Sequence, residues 1–226
     1  MGGNLTQDIV AIKVLEEVCQ EYLDMLGYKD IKLTTYFHQY MGAFPKDEEK
    51  AFALITFGAT VGALSRATVI ITKTTHEAHG IPTAQINAQS CKATKNIINM
   101  LNGEKIEGTD KMKQEEMMLR KATKAILDST LEISNGDAAI GTVRAFKVGI
   151  IDMPFSPSNY NKNLLLSHKD LRGAIRIADP GNVPIPKEVM GYETKKIKER
   201  TEKQKIEPGY KMLLEDILAF TGSNYR

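Results

Sequence analysis

No tryptophan occurs among the 226 residues, only two cysteines are present, and every apolar stretch falls short of a membrane-spanning helix, which needs a run of about 18 or more. The polar opening "MGGNLTQD" has neither the basic n-region nor the apolar h-region of a secretory signal, so a cytoplasmic protein is expected. An excess of one charge is missing too. Thirty Lys and Arg face 28 Asp and Glu, for a net charge of +2, which argues against nucleic acid or an anionic membrane as partner. Cys19 and Cys91 each fall in a helix-patterned segment without metal-type spacing; a reducing compartment would keep them as thiols, and both are expected to be small packed residues. No GxGxxG opens a helix and no GxxxxGK[ST] occurs, which removes the sequence basis for dinucleotide or P-loop chemistry.

What is present is a chain with enough apolar side chain, 42%, to bury a core. Residues 5–26 carry apolar positions at helical spacing (Ile9, Ile12, Leu15, Val18, Cys19, Tyr22, Leu26), and Gly27 supplies a stop. A strand "DIKLTTYFHQ", a loop "MGAFP" and a helix "KDEEKAFALITFGATVGALSR" follow; then comes a second strand "ATVIITK", a loop "TTHEAHGIP" and a helix "TAQINAQSCKATKNIINML". A long helix is expected over about 111–133, a third strand in "AAIGTVRAF", a weaker fourth in "GAIRIAD", and a helical tail over about 186–226. Strands alternating with helices predict an α/β fold with a parallel sheet, in a single domain over 1–226 without an interior boundary. Three or four strands cannot close an eight-stranded barrel. The sheet is therefore open, or the chain is part of a larger barrel.

In parallel α/β folds, function concentrates in the loops after the carboxyl ends of strands. Three such ends are well furnished: His38 with the loop holding Phe44 and Pro45, Lys73 with His76 and Glu77, and the long "KVGIIDMPFSPSNYN". A lysine ending an apolar strand is costly unless it meets an anion or lines a cleft, and Glu77 is the nearest partner. Spacing alone also leaves a plain solvent-facing ion pair at the loop mouth open. His38, His76 and His79 could form a histidine metal site, although HExxH is absent and loop histidines are commonly surface groups. Asp152, just before "MPF", reads as a turn residue more readily than as an acid or base. The "KKIKERTEKQK" run, interspersed with Glu, reads as a solvated helix face.

Taken together, "TTYFHQYMGAFPKDEEKAF", "KTTHEAHGIPT", "KATKNIINMLNG", "GDAAIGTVRAFKVGIIDMPFSPSNYN" and "GNVP" resemble the epsilon chain of adenosylcobalamin-dependent glutamate mutase, the methylaspartate mutase family. The resemblance implies the carboxyl-terminal half of that family's chain: a partial (βα) TIM-type barrel with a helical extension. It also implies an isomerase component acting in the radical interconversion of L-glutamate and L-threo-3-methylaspartate. Adenosylcobalamin is the implied cofactor, and the implied partners are a small cobalamin-binding subunit and an amino-terminal half-barrel, or further copies of the chain. By position in the shared motifs, Phe44, Lys73, Glu77 and Ile81 resemble cofactor-contacting residues. Thr75 stands where the family has proline and His79 where it has an aliphatic residue. The groups that grip the substrate belong to the family's amino-terminal half, so this chain alone is expected to bind glutamate poorly. A non-catalytic half-barrel that assembles through open sheet edges is the alternative.

Overall fold

The computed structural model describes residues 1–106, 108–154 and 156–222. It contains seven helices and four short strands among those residues, and none of the helices is long and apolar enough to cross a membrane. The chain divides into two compact units, Met1–Glu115 with the segment from Leu214 onward, and Glu116–Leu213.

The first unit opens with α1 (Leu5–Met25), whose N-cap Asn4 accepts a hydrogen bond from the Gln7 amide. Its buried residues are Gln7, Asp8, Ile9, Val10, Val14 and Val18, which include the expected Ile9 and Val18 but not Leu15 or Cys19. Leu15 is 49% exposed and Cys19 is exposed, as is Cys91, so the expectation that both thiols are packed is corrected. Three valines, Val10, Val14 and Val18, take the inner face with Gln7, whose side-chain amide donates to Glu115.

The same unit goes on to carry the candidate site. Strand β1 (Tyr36–His38) leads through α2 (Glu48–Leu64) to β2 (Val69–Ile71) and on to α3 (Ala84–Met100). The strands pair in parallel with Phe37 opposite Ile70. Asp47 and Thr83 cap the two helices by accepting from the Lys50 and Ile86 amides, and Glu48 and Glu49 favour the positive end of α2. Phe37 and Ile70 pack with Val61 and Ile9 on the helix side. Gly62 is required there, since a Cβ would stand 2.6 Å from the Ile70 side chain. A second cluster, Tyr40, Phe44, Ala51, Leu54 and Ile55, lies beyond the strand ends. Phe220, from the segment after Leu214, meets Tyr40 edge-on at 4.9 Å.

In the second unit, α4 (Asp110–Glu132), which begins before Glu115, is followed by α5 (Ala138–Val148). This helix replaces the expected third strand. Asp137 caps it by accepting from the Ile140 amide, and Gly149 ends it at φ 84°. The alternation that suggested a strand is overridden by the buried pair Gly141 and Ala145, spaced one helical turn apart. A Cβ on Gly141 would lie 2.3 Å from the Thr130 carbonyl oxygen, so the small residue allows close helix contact.

Strands β3 (Leu166–Lys169) and β4 (Ile175–Asp179) pair antiparallel, which corrects the expected fourth parallel strand. Asp170 turns the hairpin by accepting from the Arg172 and Ala174 amides, and Gly173 takes φ 80°. Helix α6 (Lys187–Gln204) packs on β4 with Val189, Glu193, Ile197 and Arg200. The basic run is thus not wholly a solvated face. Arg176 is held by Asp170 at 2.9 Å and Glu193 at 3.3 Å, and Arg200 donates to the Lys169 carbonyl at 2.7 Å. The last helix is α7 (Tyr210–Ile217). The fold is α/β and mostly helical; among the described residues the strands form one parallel and one antiparallel pair, and no barrel closes.

Candidate functional site

The chain leaves β2 at Ile71 and immediately turns. The Glu77 amide donates to the Thr74 carbonyl, and the His79 and Gly80 amides to the His76 carbonyl, so residues 74–80 form two consecutive tight turns. Thr74 and Thr75 are buried, which anchors the turn from below. Thr74 also lends its hydroxyl to the His76 amide at 3.2 Å. On this base Lys73 Nζ reaches Glu77 Oε2 at 2.9 Å, with the two side chains 21% and 29% exposed. The other carboxylate oxygen, Oε1, receives only a long contact from the Thr74 amide at 3.4 Å. Lone pairs on both oxygens therefore remain available to a ligand.

Of the residues singled out from sequence, Lys73 and Glu77 are brought together. Phe44 is buried, 8% exposed, in the cluster against which Ala78 of the same turn packs. It supports the turn from the neighbouring loop rather than facing solvent. Ile81 is 97% exposed, its side chain standing clear of the chain's own core. His79 Nε2 lies 3.1 Å from the Lys46 carbonyl oxygen, tying the turn to the loop before α2. The His76 and His79 rings are 5.6 Å apart, and His76 Nδ1 is buried without a hydrogen-bond partner. His38 directs its Nδ1 to the Gln39 carbonyl at 3.1 Å. Among the described residues, no group of three or more His, Cys, Asp or Glu is arranged to hold a metal ion.

Asp152 proves to organise a loop. Its two oxygens accept from the amides of Met153 and Asn163, and of Leu164 and Leu165. Burial pushes its carboxyl upward, but these four amide donors outweigh it and hold the group below the ordinary carboxylate range. Asn161 and Asn163 complete the loop by bridging to Met153 and Ser156. Phe155, within the same segment, lies outside the described residues.

One residue of the site was missed from sequence. Gln39 is fully buried and stands two residues from Phe37, just past the end of β1, where its side chain turns inward as that of Phe37 does. Its Nε2 donates to the Ile55 carbonyl at 3.1 Å and to Thr94 Oγ1 at 3.3 Å, while its Oε1 accepts from the Lys73 amide at 2.8 Å. Period-two alternation in "YFHQ" could have placed it inward, and a core amide must then find partners. Gly58 leaves it room, for a Cβ there would stand 2.9 Å from the Gln39 side chain.

The chain matches the family model described as methylaspartate mutase E chain over residues 1–224. It is 46% identical to the glutamate mutase epsilon subunit of Desulfitobacterium hafniense over 96% of this chain and 45% of that protein. Against the subunit of the same name from Yersinia enterocolitica the identity is 42%, over 98% of this chain and 46% of the relative. For Haloarcula marismortui the figures are 31%, 97% and 44%. The chain thus spans somewhat under half the length of the curated relatives that it matches.

Proposed function

The chain belongs to the methylaspartate mutase E chain family, and from that membership we propose that it is a component of an adenosylcobalamin-dependent glutamate mutase, supplying the part of the barrel that holds the adenosyl group. In this reading it represents the carboxyl-terminal half of the family chain, with β1–α2–β2–α3 as two consecutive βα units. The observation that carries the proposal is the Lys73–Glu77 pair at the exit from β2, with carboxylate lone pairs left open.

Two neighbouring ribose hydroxyls need two acceptor sites on adjacent oxygens, and a carboxylate with one oxygen engaged by a lysine and the other nearly free meets that need. The residues therefore fit an adenosyl group. When bound, the cofactor supplies the carbon-centred radical that a carbon-skeleton rearrangement requires. Glu77 holds the sugar, and Lys73 fixes the carboxylate's orientation while balancing its charge. Ile81, whose apolar side chain is exposed, would help cover the corrin edge, and Phe44 would support the turn through Ala78. Orienting a reactive group while excluding water is how such a site would raise rate.

The proposed partners are the small cobalamin-binding subunit and a chain providing the amino-terminal half-barrel. Mixing this chain with both, adding adenosylcobalamin and glutamate, and recording electron paramagnetic resonance is the test. A cob(II)alamin-coupled radical signal that depends on this chain supports the reading; a complex that forms without that signal refutes it.

A second reading, a non-catalytic assembly module, is favoured by the two-stranded parallel sheet, whose edges are open and whose outer positions Tyr36 and Ile71 are 61% and 40% exposed. Oligomerisation of the chain by itself, with no gain on adding the other components, would select it.

A further inference from the structure

We infer that Gln39 is the positioning residue of the Lys73–Glu77 pair: its carboxamide sets the place of Lys73 at the strand exit, so that the ion pair is presented in one geometry. This rests on the reading of that pair as an adenosyl clamp.

The argument is one of connectivity. Lys73 has left the β1–β2 ladder, whose last register pair is His38 with Ile71, so its backbone amide has no strand partner. Gln39 Oε1 takes that amide at 2.8 Å. The same carboxamide is fixed at its other end by two acceptors on separate helices, Ile55 of α2 and Thr94 of α3, and its own backbone amide donates to the Ile71 carbonyl. One fully buried side chain thus ties the exit from β2 to α2 and α3, while the backbone of the same residue holds the end of β2. An amide is the group for the task, because it donates on one side and accepts on the other; an apolar residue of the same length would leave the Lys73 amide and the Thr94 hydroxyl unsatisfied in the interior. With its Cα held, the lysine side chain spans to Glu77, whose own amide closes the turn on Thr74. A shift of the Lys73 backbone would move the ammonium group off the carboxylate, and small misplacements of a positioning group are costly to catalysis.

Amide hydrogen exchange, read by NMR on the full chain, separates this role from general stabilisation. The reference is the Val69 amide, bonded to the Thr35 carbonyl at the opposite end of the same strand. In Gln39→Met the Lys73 amide is expected to exchange about tenfold faster relative to Val69, the size of one net hydrogen bond. Gln39→Glu is the rescue. At mildly acidic pH, burial favours its neutral form, which donates one O–H and still accepts from Lys73, returning relative exchange to within about threefold of the original. Should Gln39→Met fail to fold, Thr94→Val removes one anchor of the carboxamide and is expected to speed Lys73 exchange about threefold. Lys73 exchange that tracks Val69 in every folded variant, Thr94→Val included, overturns the proposal.

A second measurement is adenosylcobalamin affinity of the reconstituted complex, expected to fall about tenfold in Gln39→Met and to recover in Gln39→Glu. If the unaltered complex does not bind adenosylcobalamin at all, the functional reading fails while the exchange experiment still decides the role of Gln39.

Discussion

Glu77 and Asp152 are both carboxylates in loops, yet their surroundings assign them different work. Glu77 is partly exposed and satisfied by one lysine; a pair of that kind contributes only about 0–1 kcal/mol to folding. Glu77→Gln is therefore expected to leave the thermal midpoint within a degree or two while lowering turnover of the reconstituted complex by at least about tenfold. Thermal melts set beside turnover assays check this, and equal losses in both would refute the clamp. Asp152 is buried and collects four backbone amides. Because these hold its folded pKa below the unfolded value, its contribution to stability is fully present above about pH 4 and is lost as pH falls through the lowered folded value. Asp152→Asn should lose stability at neutral pH and show a shallower acid limb than the parent. Urea melts from neutral to acid pH measure the difference, and parallel acid limbs would contradict it.

At the scale of elements, glycines separate propensity from packing. Gly141 sits in α5 with the Thr130 carbonyl in the place of any Cβ, whereas Gly191 in α6 has nothing within 4 Å of that position. Gly191→Ala should stabilise by about 0.5–1 kcal/mol, the ordinary gain from replacing glycine inside a helix. Gly141→Ala should destabilise by about 1–3 kcal/mol despite the same gain, because the two helix segments must part. Denaturant midpoints of the two variants should move in opposite directions; a shared direction would show that α5 is not packed as described. The same helix shows why a strand was expected over 138–146. Short runs mixing Ala, Ile, Val and Thr satisfy either period; Asp137 as N-cap and Gly149 as stop agree with a helix, and the packing of Gly141 and Ala145 selects it. By contrast α1, α2, α3 and α4 each carry long periodic patterns, and three of them also show polar caps, so they were legible within a residue or two.

For the whole molecule, the candidate site stands on a sheet of two parallel strands. Tyr36 and Ile71 leave one face of the β1–β2 pair open to solvent, and the curated relatives are more than twice as long as the stretch they share with this chain. If the proposed assembly with an amino-terminal half-barrel forms, that face is where the added chain would be expected to sit. Ile71→Asp should then weaken association by at least about tenfold while barely altering the chain's own melting temperature, since Ile71 is already 40% exposed. Analytical ultracentrifugation of the mixture gives the answer, and unchanged association would place the contact elsewhere.

The sequence by itself determined helices α1 to α4, the parallel pairing of β1 with β2, the chemical character of the loop after β2 and, through several joined motifs, the family. These follow from periodicity, capping chemistry and local turn residues, all of which act over a few positions along the chain. Only the tertiary structure decided that Cys19 is exposed and Phe44 buried, that residues 138–148 form a helix, that Asp152 serves its own loop, and that Gln39 joins two strand ends to two helices. Each of these depends on which distant groups compete for the same volume or the same hydrogen bond, and that competition exists only once the chain has folded.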